Sequence, residues 1–241
     1  MNKLVSIALI APLFLLASCQ KEGFFNAGKT VTQRVELNNT IADVTINSMF
    51  EITLVQDTEN YALVTCGENL QPEVNLSSKE NTLLLSHSII FNWTRSYEKV
   101  KVELHLKELP SFIVHKPVLL KTKGVFKGEQ FSITGRAAYA EVDVNIDAST
   151  CSIDMGWHGF GLYKISGKAT EAKFYCYGSA RIEAQNLETE RCKVVQSSID
   201  NIYVTATNAL EVLIEKSGNV YYTGNPTITY SKSSSGKLIK R

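Results

Sequence analysis

Apolar residues return along the C-terminal half of this 241-residue chain at a nearly constant interval: Val142, Leu162, Ile182, Ile202, Val220 and Leu238 stand 18 to 20 positions apart. A second column, Ile133, Ile153, Phe174, Val194, Val212 and Tyr230, keeps step with the first, eight or nine residues upstream of it. Two columns in step mean that each repeat supplies two short apolar strands. Repeats of this length stack into solenoids rather than closing around one globular core. One repeat further back falls Ile113, with Val118 or Leu120 as its companion, so the array is predicted to start near residue 111.

The period is too short for most helical repeats, and the columns are flanked by β-branched and aromatic residues, which suit strands. The Leu-x-x-Leu-x-Leu pattern of leucine-rich repeats is missing. Val142, Val144 and Ile146 alternate with Glu141, Asp143 and Asn145, which places one set inward and the other in solvent. The reading is an all-β chain built as a parallel β-solenoid, stabilised by each coil covering its neighbour's inner row. A solenoid needs a polar end, and Ser233-Ser234-Ser235-Gly236-Lys237 with Lys240 and Arg241 supplies one. Residues 29–110 show alternation of their own at Val44 and Ile46, Phe50 to Leu54, Leu83 to Ser86 and Val100 to Leu106. They read as an N-terminal β portion leading into a solenoid of residues 111–241, with the boundary at Leu109-Pro110.

Lys3 precedes an apolar run from Leu4 to Leu16, followed by Ala17-Ser18-Cys19. This resembles a bacterial lipoprotein signal peptide with its lipobox, and the run is short for a bilayer span. The resemblance implies cleavage after residue 18 and acylation of Cys19, whose lipid chains meet the two-signal requirement for stable anchoring. Residues 19–28 then form a tether. Gln20-Lys21-Glu22 is similar to the export signal that sends some Bacteroidetes lipoproteins to the cell surface. An outer-membrane lipoprotein is expected, surface-exposed or, alternatively, facing the periplasm.

Without Lys3 the formal charge falls from +1 to 0, and lysines and glutamates intermingle, as at Lys99, Lys101 and Lys107 beside Glu98, Glu103 and Glu108. A nucleic-acid partner would require a concentrated basic face, so none is expected. Cys66, Cys151, Cys176 and Cys192 make an even number in a chain bound for an oxidising compartment, where disulfides are allowed. Cys151 and Cys192 share a row but lie two coils apart, about 10 Å at the strand spacing, beyond disulfide reach. Buried free thiols are expected.

Lys216-Ser217-Gly218-Asn219-Val220-Tyr221-Tyr222-Thr223-Gly224-Asn225-Pro226, with Ser235-Gly236-Lys237-Leu238-Ile239-Lys240, resembles the end of head GIN domain proteins, an autotransporter-adhesin-like family of Bacteroidetes. Upstream, Phe50 to Gln56, Glu68-Asn69-Leu70 and Val102 to Leu106 extend the resemblance over about residues 31–241. It implies a right-handed parallel β-helix and an extracytoplasmic, adhesin-like role, and supplies no ligand. The family's Ser-Gly turns survive here only around Ser217-Gly218 and Ser235-Gly236.

Some parallel β-helices are polysaccharide lyases, whose chemistry needs neighbouring carboxylates and a base. The outward column after the second strand reads Asp143, Tyr163, Glu183, Tyr203, Tyr221 and Ile239. The column after the first reads Thr134, Asp154, Tyr175, Val195, Leu213 and Ser231. Neither places acids on adjacent coils. His87, His105, His115 and His158 lack metal-ligand spacing, and no nucleophile elbow or phosphate-cradling loop occurs. No catalytic residue, metal or cofactor is expected. The residues singled out for ligand binding are Trp157 and Phe160 at one turn and Tyr163, Tyr203 and Tyr221 on the ladder, since exposed rings on a rigid frame hold sugar faces or protein surfaces. Equally, such rings can simply pack across strands. The sequence thus points to a lipid-anchored, adhesin-like protein that binds a glycan or protein. The alternative is an envelope assembly protein docking a partner through Tyr175, Val195 and Leu213, with a polysaccharide-cleaving enzyme the weakest reading.

Overall fold

A computed structural model describes residues 27–38, 40–89, 99–136 and 139–241. Cys19, the apolar run before it and most of the expected tether lie outside the described residues. Sixteen strands form one sheet system: β1 Thr30–Glu36, β2 Asp43–Ile46, β3 Phe50–Gln56, β4 Tyr61–Gly67, β5 Val74–Lys79, β6 Thr82–His87, β7 Lys101–Leu106, β8 Ser111–Val114, β9 Val118–Gly135, β10 Tyr139–Met155, β11 Phe160–Cys176, β12 Ser179–Gln196, β13 Ile202–Ile214, β14 Val220–Thr223, β15 Thr227–Lys232 and β16 Leu238–Lys240. They wind into a β-solenoid of about six turns.

The long strands β9 to β12 each run through two faces of a coil and bend between them. Side-chain parity explains the bend. In β10, Val142, Val144, Ile146 and Ala148 point inward at even positions, then Cys151, Ile153 and Met155 at odd ones. Strict alternation would keep one parity, so the switch after Ala148 marks the corner. The row at that corner, Gly128, Ala148, Ala169, Thr189 and Ala206, is small throughout, as a tight bend requires. The opposite edge consists of turns, and coils meet there so closely that a Cβ on Gly218 would lie 2.1 Å from the Asp200 carbonyl oxygen.

The upstream column holds as expected: Ile133, Ile153, Phe174, Val194, Val212 and Tyr230 are direct partners through five junctions. The other column differs at one coil. Val142 pairs with Tyr163, not Leu162, and Tyr163 with Ile182. The turn of residues 156–159 is longer than the turn of residues 177–178, so successive coils measure 21 and 19 residues at this row rather than a uniform 20. Tyr163 is consequently a fully buried inner residue. Its expected place in the outward row belongs to Lys164, which lies between Asp143 and Glu183. The same one-residue slip puts Phe112, not Ile113, opposite Ile133.

The parallel stack reaches further back than residue 111. β2 pairs in parallel with both β6 and β8, and β3 with both β7 and β9, so β2 and β3 form a coil inserted between one made by β6 and β7 and one begun by β8. Antiparallel strands close the N-terminal end: β4 on β7, β1 on β4, and β5 on β6. One continuous core runs from Ile41 to Val220. Cys66, Cys151, Cys176 and Cys192 are buried free thiols within it, with Ala172 between Cys151 and Cys192 in register. Burial pushes the Cys151 thiol up to about 12, which keeps it protonated and unreactive.

Candidate binding surface

The turn edge gathers exposed rings. Trp157, in the turn between β10 and β11, is 67% exposed, and Phe160, the outward-facing first residue of β11, is 47% exposed. Two aromatics that periodicity did not single out join them. Tyr139 pairs directly with Phe160, ring centroids 5.8 Å apart, and Tyr177 from the next turn lies 5.7 Å from Trp157. The Lys216 ammonium sits 5.3 Å over the Trp157 ring. Below Tyr139 the edge continues into an apolar groove of about 180 Å³ lined by Met49, Pro117, Val118 and Leu119, with Lys99 at its margin. The signal for Tyr139 was its place one coil before Phe160. Without the true turn lengths that spacing was not readable.

Tyr203 and Tyr221 stack on adjacent coils as expected, 4.9 Å apart and 9° from parallel. The Arg181 guanidinium lies 5.3 Å over Tyr203 and that of Arg241 lies 5.5 and 5.9 Å over the two rings. The stacked rings and the cations over them add to the ladder's cohesion. Of the five aromatic residues singled out, Trp157 and Phe160 come together at the turn edge, Tyr203 and Tyr221 form a separate pair on a sheet face, and Tyr163 is in the core. The column Tyr175, Val195, Leu213 has the expected register, but Val195 is buried and its neighbours are half-buried, leaving little apolar surface for a partner.

A polar cluster at the N-terminal end was not foreseen. His105 Nδ1 lies 2.9 Å from Asp57, whose carboxylate also accepts from the Tyr61 hydroxyl and the Thr58 N–H. The His105 contact, with those two donors, holds the Asp57 carboxyl down to about 2. The Tyr61 ring stacks on His105 at 4.2 Å and the Arg34 guanidinium lies 3.5 Å over Tyr61. Glu103 approaches His105 Nε2 only to 3.6 Å. An aspartate-oriented histidine is a component of catalytic sites, but this one is 9% exposed beneath a stacked ring, so the cluster pins β3, β4 and β7 together. Asp57 and His105 are 48 residues apart, and no local motif announces their meeting.

The model of the family described as "Putative auto-transporter adhesin, head GIN domain" matches residues 42–226. Among solved structures, a "putative adhesin" from Bacteroides fragilis NCTC 9343 shares 19% identity with a TM-score of 0.77, covering 88% of this chain and 97% of that one. A "putative adhesin" from Parabacteroides distasonis ATCC 8503 shares 19% at 0.61, covering 89% and 98%. A "putative lipid binding protein" from the same organism shares 22% at 0.60, covering 89% and 97%. At such identities the likeness concerns the fold. No curated protein matches the chain. With a match across most of its length and a solenoid shared with these structures, the chain belongs to the head GIN domain family.

Proposed function

We propose that this chain is a non-catalytic, lipid-anchored envelope protein, adhesin-like, that holds a glycan or protein against its aromatic turn edge. The observation that carries this is the alignment of Trp157, Phe160, Tyr139 and Tyr177 on one edge of a stacked ladder. Trp157, the largest ring, is also the most exposed of the four. Rings fixed in this way lose little conformational freedom on binding, the usual character of an interface anchor. Family membership supports an envelope location and a role without catalysis. The lipobox around Cys19 supports the anchor.

Arrays of bacterial and host glycans and matrix proteins, probed with the full chain, test the reading. Replacing Trp157 and Phe160 together with alanine should cost at least about 2 kcal/mol, roughly thirtyfold in affinity. Retained binding in that variant sinks the turn edge as the contact. In parallel, protease applied to intact cells should digest the wild-type chain, and Cys19→Ala should release it from the membrane fraction. Protection until the outer membrane is opened would replace surface adhesion with a periplasmic role.

A further inference from the structure

Charge on the turn edge is not distributed as it is over the rest of the stack. The four consecutive turns of residues 115–117, 136–138, 156–159 and 177–178 contain His115, Lys116, Arg136 and His158 and no aspartate or glutamate. All four of these side chains are exposed. Lys216 adds a further cation by reaching back to the Trp157 ring. Among the described residues none of Lys116, Arg136 and Lys216 forms an ion pair, although Asp154 stands only two residues before the third of these turns. Along the opposite corner cations face carboxylates of adjacent coils, as in Lys127–Asp147 and Lys168–Glu188. The carboxylates of the turn edge, Asp200 and Glu215, belong to the next two turns, and Glu215 accepts from the Ser197 hydroxyl.

Register places these cations around the rings. Backbone hydrogen bonds carry the strand pairing one residue past each strand, so His115, Arg136, Gly156, Tyr177 and Ser197 fall in one outward row. Gly156 has no side chain, which leaves a gap in that row between Arg136 and Tyr177, two coil steps or about 10 Å apart. Trp157 follows Gly156 as Lys116 follows His115 and Lys216 follows Glu215. Its indole stays largely exposed with the Lys216 ammonium and the Tyr177 ring beside it. The edge therefore presents aromatic faces with Lys116 and Arg136 on the N-terminal side and Lys216 on the C-terminal side. A pyranose packs its C–H face on an aromatic ring and is about as long as one coil step, so a linear polysaccharide along the edge keeps pace with the ladder. Unpaired cations beside the rings favour carboxylate or sulfate groups on those sugars.

We propose that the turn edge takes an acidic glycan, a polysaccharide bearing carboxylate or sulfate groups, with Trp157 and Phe160 against sugar rings and Lys116, Arg136 and Lys216 against the anionic groups. The inference rests on the role proposed above for this edge as the contact surface and narrows its ligand to one class.

Affinity electrophoresis of the full chain in a nonionic detergent, through gels holding polygalacturonate, its methyl ester, dextran sulfate, dextran or polyglutamate, tests it. At least one acidic polysaccharide should bind at least about tenfold more tightly than its neutral counterpart, and raising salt from about 0.05 to 0.5 M should weaken that binding by at least about tenfold. A cation variant (Lys116→Gln, Arg136→Gln, Lys216→Gln) and an aromatic variant (Trp157→Ala, Phe160→Ala) should each lose at least about tenfold. A control variant (Lys79→Gln, Lys107→Gln, Lys168→Gln) removes the same charge elsewhere and should lose less than about twofold. If neutral and acidic polymers are held alike and the aromatic variant releases both, the edge stands as the contact and the acidic glycan is overturned. An acidic polymer still held by the aromatic variant overturns the edge as the contact and this inference with it. Equal loss in the cation and control variants reduces retention to diffuse charge and overturns the acidic site alone. So does a wild-type chain that prefers no acidic polysaccharide, or one retained by polyglutamate only, which would give the cations to an acidic protein.

Discussion

Two single residues carry consequences opposite to their appearance. Tyr163 looked like an exposed ring, yet it is buried and its hydroxyl has no hydrogen-bond partner. Burial raises its pKa, and the unpaired hydroxyl carries a desolvation penalty of about 1–3 kcal/mol. Tyr163→Phe should therefore leave stability unchanged or raise it by up to about 1 kcal/mol in urea denaturation. Tyr163→Ala should lower it by about 3–5 kcal/mol through the cavity. A clear loss in the phenylalanine variant would mean that the hydroxyl is bonded after all. Asp57 acts in the other direction. Its folded pKa of about 2 lies below the ordinary 3.8, so its stabilising effect is complete above the ordinary value and fades as pH falls toward the lower one. Asp57→Asn should flatten the acid limb of a melting-temperature profile between those values, and an unaltered limb would dissociate Asp57 from acid unfolding. Neither residue's role was legible in the sequence. Tyr163 and Leu162 are both apolar enough for the inner row, and the Asp57–His105 contact arises only when β3 and β7 pair.

Strands and turns differ in how much of their arrangement the amino-acid pattern reveals. The strand rows were legible because an inward position tolerates only apolar or small residues, so five coil junctions of the upstream column fell into place. Turn lengths were not, because a turn of two residues and one of four both accept Gly and polar side chains. The slip at Tyr163 follows from that alone. One turn device does repeat at the coil period. Asn201 Oδ1 accepts the Asn219 N–H at 3.0 Å, and Asn219 Oδ1 accepts the Lys237 N–H at 2.9 Å, a ladder that replaces backbone partners at the corner. Asn219→Ala should remove one rung and cost about 1–2 kcal/mol, measured by thermal or chemical unfolding. A neutral outcome would mean that water serves those N–H groups equally well.

As a whole the molecule is a one-dimensional stack in which each coil touches only its neighbours, so stability should vary along the axis. Hydrogen exchange should find amides of β15 and β16 opening most easily and those of β10 to β12 protected nearly to the global limit. Uniform protection would show that the end coils are held by something outside the chain. Fold class, the approximate coil period and the stacking of the upstream column follow from the sequence alone, because burial imposes a chemical constraint on every inner position and the constraint repeats. Membership of the exposed aromatic edge, the burial of Tyr163 and the insertion of β2 and β3 into the stack were decided by tertiary structure. Each depends on turn length or on contacts between strands distant in the chain, and no local preference encodes either.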